Sequence, residues 1–150
     1  MSLQKHGCPR SGRILLSVDP GGRKTGLARV GASGFITPIG VVPSRGLEAS
    51  AKRIAEEMKL LCAELCIIGL PVDAEGVETG GCRRSRALGQ LLEERGYRVH
   101  YQPEYLTTRE ARERAREIGR APSEPVDDLA AAIILEDYLS ETKSAGGGDG

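Results

Sequence analysis

The sequence predicts an α/β fold, a mixed sheet with helices on both faces. Three observations lead there. Short apolar runs separated by Gly-rich turns occupy the chain up to Val42 and read as an antiparallel meander. Beyond Val42, helical periodicities alternate with short apolar runs, which is the pattern of βα crossovers. No linker or internal repeat divides the 150 residues, so one domain is expected, large enough to bury roughly 70% of its unfolded surface.

The elements follow in order. Arg13–Asp19 carries the apolar run Ile14-Leu15-Leu16-Ser17-Val18 and ends at the turn Pro20-Gly21-Gly22-Arg23-Lys24. Thr25–Val30 is the second strand and Phe35–Val42 the third. Leu47–Ala63 spaces Leu47, Ala51, Ile54, Ala55, Met58, Leu61 and Cys62 as a helix does. Leu65–Leu70 is continuously apolar, as in a strand covered on both faces. A helix over Gly81–Arg95, a strand over Tyr97–Tyr101, and helices over Thr108–Gly119 and Val126–Glu141 complete the series. Residues 1–12 and 142–150 are too polar and too rich in glycine to bury much apolar surface, so both are expected to be disordered tails flanking a domain at 13–141.

Composition narrows the function. Lys+Arg and Asp+Glu are both 21, so no bulk field steers the chain to nucleic acid, and any such binding needs a local basic patch. Cys8, Cys62, Cys66 and Cys82 form no zinc spacing and are read as structural thiols. His6 and His100 sit in no metal or triad pattern. The polar N-terminal stretch is no signal peptide, and no apolar run approaches the ~20 residues of a membrane span. A cytoplasmic protein with no membrane partner is expected.

Three acidic sites recur where elements begin or end: Asp19, Glu104 and Asp127-Asp128. Each has a structural reading as well. Asp19-Pro20-Gly21 is also a good turn, Glu104 also a loop residue near a helix start, and Asp127-Asp128 also complement a helix dipole. On a helical wheel Asp127 and Asp128 fall on either side of the buried direction set by Ala131, Ile134, Leu135 and Tyr138, roughly 50° from its centre at 100° per residue. Acids so placed are costly to bury without a cation or donors. Oxygen ligands favour Mg²⁺ or Mn²⁺ over zinc. Two such ions about 3.5–4 Å apart catalyse phosphodiester hydrolysis. Lys24 in the first turn, Arg83 and Arg84 in the first turn of a helix, and Arg109 and Arg112 near Glu104 are the candidate phosphate contacts. Asp73, in an acidic loop, reads better as a turn former.

Four segments, Val18–Val30, Ile67–Glu78, Glu104–Ala111 and Val126–Leu139, together resemble the YqgF/RuvX family of RNase H-like Holliday junction resolvases and pre-16S rRNA nucleases. The resemblance implies an RNase H-like fold with a five-stranded sheet of order 3-2-1-4-5. It also implies metal-dependent nuclease chemistry on an rRNA precursor or on branched DNA. By motif, Asp19 matches the acid of the family's Asp-x-Gly turn, Glu104 its later glutamate and Asp127 the first acid of its last helix. Asp128 stands where the family often has a small polar residue, and is expected as an auxiliary metal ligand. Pro103 and Tyr105 stand where the family motif has aspartate and arginine. The alternative is a non-catalytic RNase H-like module that binds RNA in ribosome assembly. Nothing in the sequence marks a dimer surface, and a monomer or weak homodimer is expected.

Overall fold

The computed structural model describes residues 13–105 and 107–147. The elements are β1 (Leu15–Pro20), β2 (Lys24–Val30), β3 (Ile36–Pro43), α1 (Leu47–Leu61), β4 (Leu65–Pro71), α2 (Cys82–Glu94), β5 (Val99–Glu104), α3 (Thr107–Glu117) and α4 (Asp127–Gly147). They form one five-stranded sheet in the order β3-β2-β1-β4-β5. β1–β2 and β2–β3 pair antiparallel, whereas β1–β4 and β4–β5 pair parallel. The expected mixed sheet and its order are therefore present.

Alternation along β1 sorts the core into two layers. Leu16 and Val18 point to a layer shared with Ile54 and Met58 of α1 and Leu88 and Leu92 of α2. Leu15 points to the opposite layer, with Ile67 of β4 and Ile134 and Leu135 of α4. Ser17 lies on this second face too, and its Oγ donates to the Ala131 carbonyl at 2.7 Å. The first half of α4 is buried all round, from Leu129 through Leu135. Ala131 and Ala132 face Ala28 of β2, while Ala130, Leu129 and Ile133 meet Ala111 and Ala115 of α3. Small residues let this helix press against the sheet and carry α3 on its back. The bidentate Arg114–Glu136 pair fastens α3 to α4.

Three expectations change. β5 runs to Glu104 and not to Tyr101, because Pro103 sits on the edge strand of the sheet, where its missing N–H breaks no ladder bond. α4 continues to Gly147, so residues 142–147 extend a helix where a disordered tail was expected. The expected tails at 1–12 and 148–150 lie outside the described residues. Cys62 is not a buried thiol: it is the left-handed C-cap of α1 (φ 56°) and is disulfide-bonded. Cys66 and Cys82 are free and buried. Among the described residues no helix is long and apolar enough to cross a membrane.

Candidate functional site

The C-terminal ends of β1, β4 and β5 lie side by side because these three strands are parallel. Asp19 continues the Leu15–Ser17 alternation and therefore faces α4. On β5 the same face carries His100, whose ring stacks edge-on with Tyr138, and Gln102, whose amide donates to Glu141 at 2.9 Å. Glu104, the last residue of β5, follows on that face. One strand, β4, separates the backbones of Asp19 and Glu104, yet a hydrogen bond joins their carboxyls.

Gly69 explains the reach. It lies on β4 between them, and a Cβ there would come within 2.5 Å of Glu104 Oε1 and 2.6 Å of Ile134 Cδ1. The missing side chain is the gap through which Glu104 crosses the middle strand. Gly26 does the same for Asp127. It is the β2 partner of Asp19, and a Cβ there would collide with the Asp127 carbonyl. The first turn of α4 thus rests directly on β2 beside Asp19.

The electrostatic result is severe. Burial, then the charge and hydrogen bond of Glu104, then the charge of Asp127 push the Asp19 carboxyl up to about 8. At neutral pH, without a counterion, this acid keeps a proton that it shares with Glu104. Asp19 and Asp127 line a cleft of about 240 Å³ together with Lys24, Arg112, Ser123 and Glu124. Two cations thus face the acids across the space where an anionic group would enter.

The sequence-predicted residues divide clearly. Asp19, Glu104 and Asp127 converge, and Lys24 and Arg112 line their cleft. Asp128, expected as an auxiliary metal ligand, is turned away and buried. Its two oxygens accept from Nη1 and Nη2 of Arg120, each at 2.9 Å, and Arg120 also donates to the Pro125 carbonyl. Its role is to hold the α3–α4 connection. Arg109 is exposed and paired with Glu113 at 3.7 Å, away from the acids' cleft. Arg83 is exposed on α2, whereas Arg84 reaches back over the β1–β2 turn, its Nη2 lying 3.5 Å from where a Cβ on Gly22 would be. Asp73 is the turn former expected, its Oδ1 accepting from the amides of Glu75 and Val77. Pro103 faces away from the acids, on the Tyr101 side of β5, so an acid there would not join the cluster. Tyr105 is exposed, with its hydroxyl near Gly76. The residues that sequence reading missed are Gly26, Gly69 and Arg120.

The donor set fits a hard divalent cation. All donors are carboxylate oxygens, two already touch, and their mutual repulsion is what a cation relieves. Among the described residues no three acidic, histidine or cysteine side chains are gathered closely enough to form a finished cage. Asp127 joins the pair through its charge and not through contact. An open, water-retaining ion of the Mg²⁺ type suits such a partial shell better than one needing a complete protein cage.

Comparison with known proteins agrees with this geometry. The family model described as "RuvX: Holliday junction resolvase" matches residues 13–141. A Chromohalobacter salexigens protein named "Putative pre-16S rRNA nuclease" is 32% identical over 135 residues, 86% of this chain and 90% of that protein. A Deinococcus radiodurans protein named "Ribonuclease YqgF" is 33% identical over 125 residues, 83% of this chain and 86% of its own length. Among solved structures, Thermus thermophilus RuvC bound to a Holliday junction aligns with a TM-score of 0.57 at 16% identity, covering 87% of this chain and 96% of that one. That likeness establishes a shared RNase H-like fold. The family match over nearly all of the described residues and the sequence identity to both relatives carry the stronger conclusion: this chain belongs to the YqgF/RuvX family.

Proposed function

We propose that the protein is a metal-dependent endonuclease of structured nucleic acid, acting in the cytoplasm on the precursor of 16S rRNA. The observation that carries the reading is the forced contact between Asp19 and Glu104, with Asp127 adding its charge, beside a cleft that also holds Lys24 and Arg112. Like charges crowded at the ends of parallel strands oppose folding, so their persistence points to a task. The names of the two relatives support an RNA substrate.

Asp19 and Glu104 would hold Mg²⁺ or Mn²⁺, with Asp127 completing the shell. When bound, such ions supply a more acidic water and neutralise charge on the scissile phosphate and the leaving oxygen. The chain's own residues do the rest. Asp19 gives up its shared proton and presents both oxygens to the cleft. Glu104, stretched across Gly69, fixes the orientation of Asp19. Lys24 and Arg112 draw in the phosphodiester and align it against the acids. Water is the nucleophile and no covalent intermediate forms.

The test is cleavage of a precursor-16S transcript and of a four-way DNA junction by wild type and by Asp19→Asn, in Mg²⁺ and in Mn²⁺. Metal-dependent cutting of the transcript that Asp19→Asn abolishes supports the proposal. Equal cutting by the variant sinks it. Cutting confined to the junction would move the function to resolution, which requires a two-fold dimer and not the expected monomer or weak homodimer.

A second reading, a non-catalytic RNA-binding module, draws support from the stand-off of Asp127, which leaves the described acids short of a cage. Calorimetric titration separates the two, because a pure module takes up no Mg²⁺ or Mn²⁺ at millimolar concentration.

A further inference from the structure

A second, smaller cavity of about 100 Å³ opens on the other side of the β1–β2 turn from the acids. Gly21 and Gly22 floor it, Ser44 and Ser50 line it, and Arg84 overhangs it. It also meets the start of α1, a helix of 15 residues that begins at Gly46 with no side-chain cap. The amides of Leu47, Glu48 and Ala49 find no acceptor in the described chain, and the first amide to bond back is that of Ser50, to the Gly46 carbonyl at 3.0 Å. An uncapped first turn presents partial positive charge to whatever stands before it.

Ser50 independently points to a ligand. The residue is only 8% exposed, and its hydroxyl makes no hydrogen bond within the described residues. No fully buried side-chain oxygen among those residues lacks a partner, so the Ser50 hydroxyl must face free space. The free space beside it is this cavity. Arg84, likewise, has no ion pair among the described residues to occupy it. The wall opposite is stiffened by the Thr25–Ser44 hydroxyl contact at 2.7 Å and by the bond from Ser44 Oγ to the Gly21 carbonyl at 3.0 Å. Glu48, the acid of this first turn, is exposed and does not line the cavity. A hydroxyl, a guanidinium and the unpaired Leu47 amide at an uncapped helix start meet at one small hollow, a combination that matches a tetrahedral oxyanion.

We propose that this hollow is a second phosphate site, holding a backbone phosphate of the substrate strand a short way from the one that is cut. The proposal rests on the nuclease reading for the identity of the strand. The β1–β2 turn is the saddle between the two sites. A strand lying across it would place one phosphate at the Asp19–Lys24–Arg112 cleft and another before α1, under Arg84. This second grip would fix the register of the strand and so select which bond meets the acids.

Two measurements on the full, metal-free chain test it. In the first, inorganic phosphate is titrated while the amide signals of Leu47 to Ser50 are followed by NMR. Saturable shifts at those amides, weakened about ten-fold or more in Arg84→Gln, are expected. Amides that do not move overturn the site. The second measures binding of a short single-stranded RNA by fluorescence anisotropy as a function of salt. Arg84→Gln should weaken binding similarly for all sequences and lower the salt slope by about one. If phosphate moves the amides but the slope is unchanged, the hollow serves a free anion and the strand assignment is wrong. Neither readout involves metal or cleavage. A chain that binds as expected but never cuts therefore counts against the nuclease reading and in favour of this site.

Discussion

Asp127 and Asp128 are neighbours in the chain and opposite in electrostatic fate. Asp128 is buried against a guanidinium that takes both its oxygens. Asp127 instead lines a cleft and adds its charge to two carboxyls that already repel each other. The first arrangement satisfies itself, which marks a structural role. The second crowds like charges together, which an external cation would relieve, and that marks a site. The criterion is the partner and not the burial, since the more buried acid is the one that is not in the site.

The largest effect should come from the acid most deeply inside the unsatisfied cluster. Asp19→Asn should lower the rate of cleavage by about a thousand-fold or more, because the ligand is lost while the cleft keeps its shape. The same variant should be more stable than wild type when metal is absent. Single-turnover cleavage and thermal unfolding in EDTA check the two halves. A variant that cleaves poorly and also melts lower would indicate that Asp19 holds the fold and not an ion.

The pH dependence sharpens the point. The folded Asp19 carboxyl titrates at about 8 and the ordinary carboxyl at 3.8, so between those values the folded state holds a proton that the unfolded state has released. The Asp19 contribution to metal-free stability should therefore be greatest at the acid end and fall as pH rises from about 4 to about 8, by an amount on the order of 5 kcal/mol. Adding Mg²⁺ should reverse the trend, since the ion binds the deprotonated pair and is worth more at pH 8 than at pH 5. Denaturant melts at several pH values, with and without Mg²⁺, measure this. A slope that persists in Asp19→Asn would assign the linkage to another group.

Next in size is Gly69→Ala. The new methyl would meet Glu104 Oε1 and Ile134 Cδ1, forcing the glutamate off its path across β4. Activity should drop about 10–100-fold, as when a group that orients a ligand is removed. The Asp19 carboxyl should also fall back towards its ordinary range, a change visible by carboxyl NMR. Retained activity with an unmoved Asp19 resonance would break the claim that the glycine makes the pairing possible.

Much of this was legible in the sequence for physical reasons. β1 ends at a charged residue followed by Pro-Gly-Gly, so both the strand and the acid at its tip could be read locally. The central crossover strand β4 announced itself as a continuous apolar run, and β5 by alternation. Gly26 and Gly69 were silent, because a required absence of side chain looks in one sequence like any other strand glycine. Pro103 obscured the end of β5, since proline stops a central strand and is harmless only on an edge, and edges belong to the assembled sheet. The Gly-rich end likewise read as a disordered tail with too little apolar surface to bury, yet α4 extends through Gly147. The wheel could not separate Asp127 from Asp128, because both flank the buried face. What separates them is Arg120, which enters from the loop before α4 and has no periodic relation to that helix.

That pair supplies the last and smallest prediction, made by neutralising each neighbour in turn. Asp128→Asn leaves Arg120 half-buried without its counter-charge and removes one of two parallel charge-assisted bonds. Because Arg120 is partly open to solvent, the loss should be about 1–2 kcal/mol, below the cost of breaking a fully buried pair. Cleavage at saturating metal should then change by less than about three-fold, because the α4 backbone still rests on Gly26 and still presents Asp127. Asp127→Asn should behave in the opposite way: stability unchanged or slightly raised without metal, apparent affinity for Mg²⁺ reduced, and cleavage impaired. Paired urea melts and Mg²⁺ titrations of the two variants provide the comparison. If Asp128→Asn weakens metal affinity as much as Asp127→Asn does, the Arg120 bond is not what sets the two acids apart.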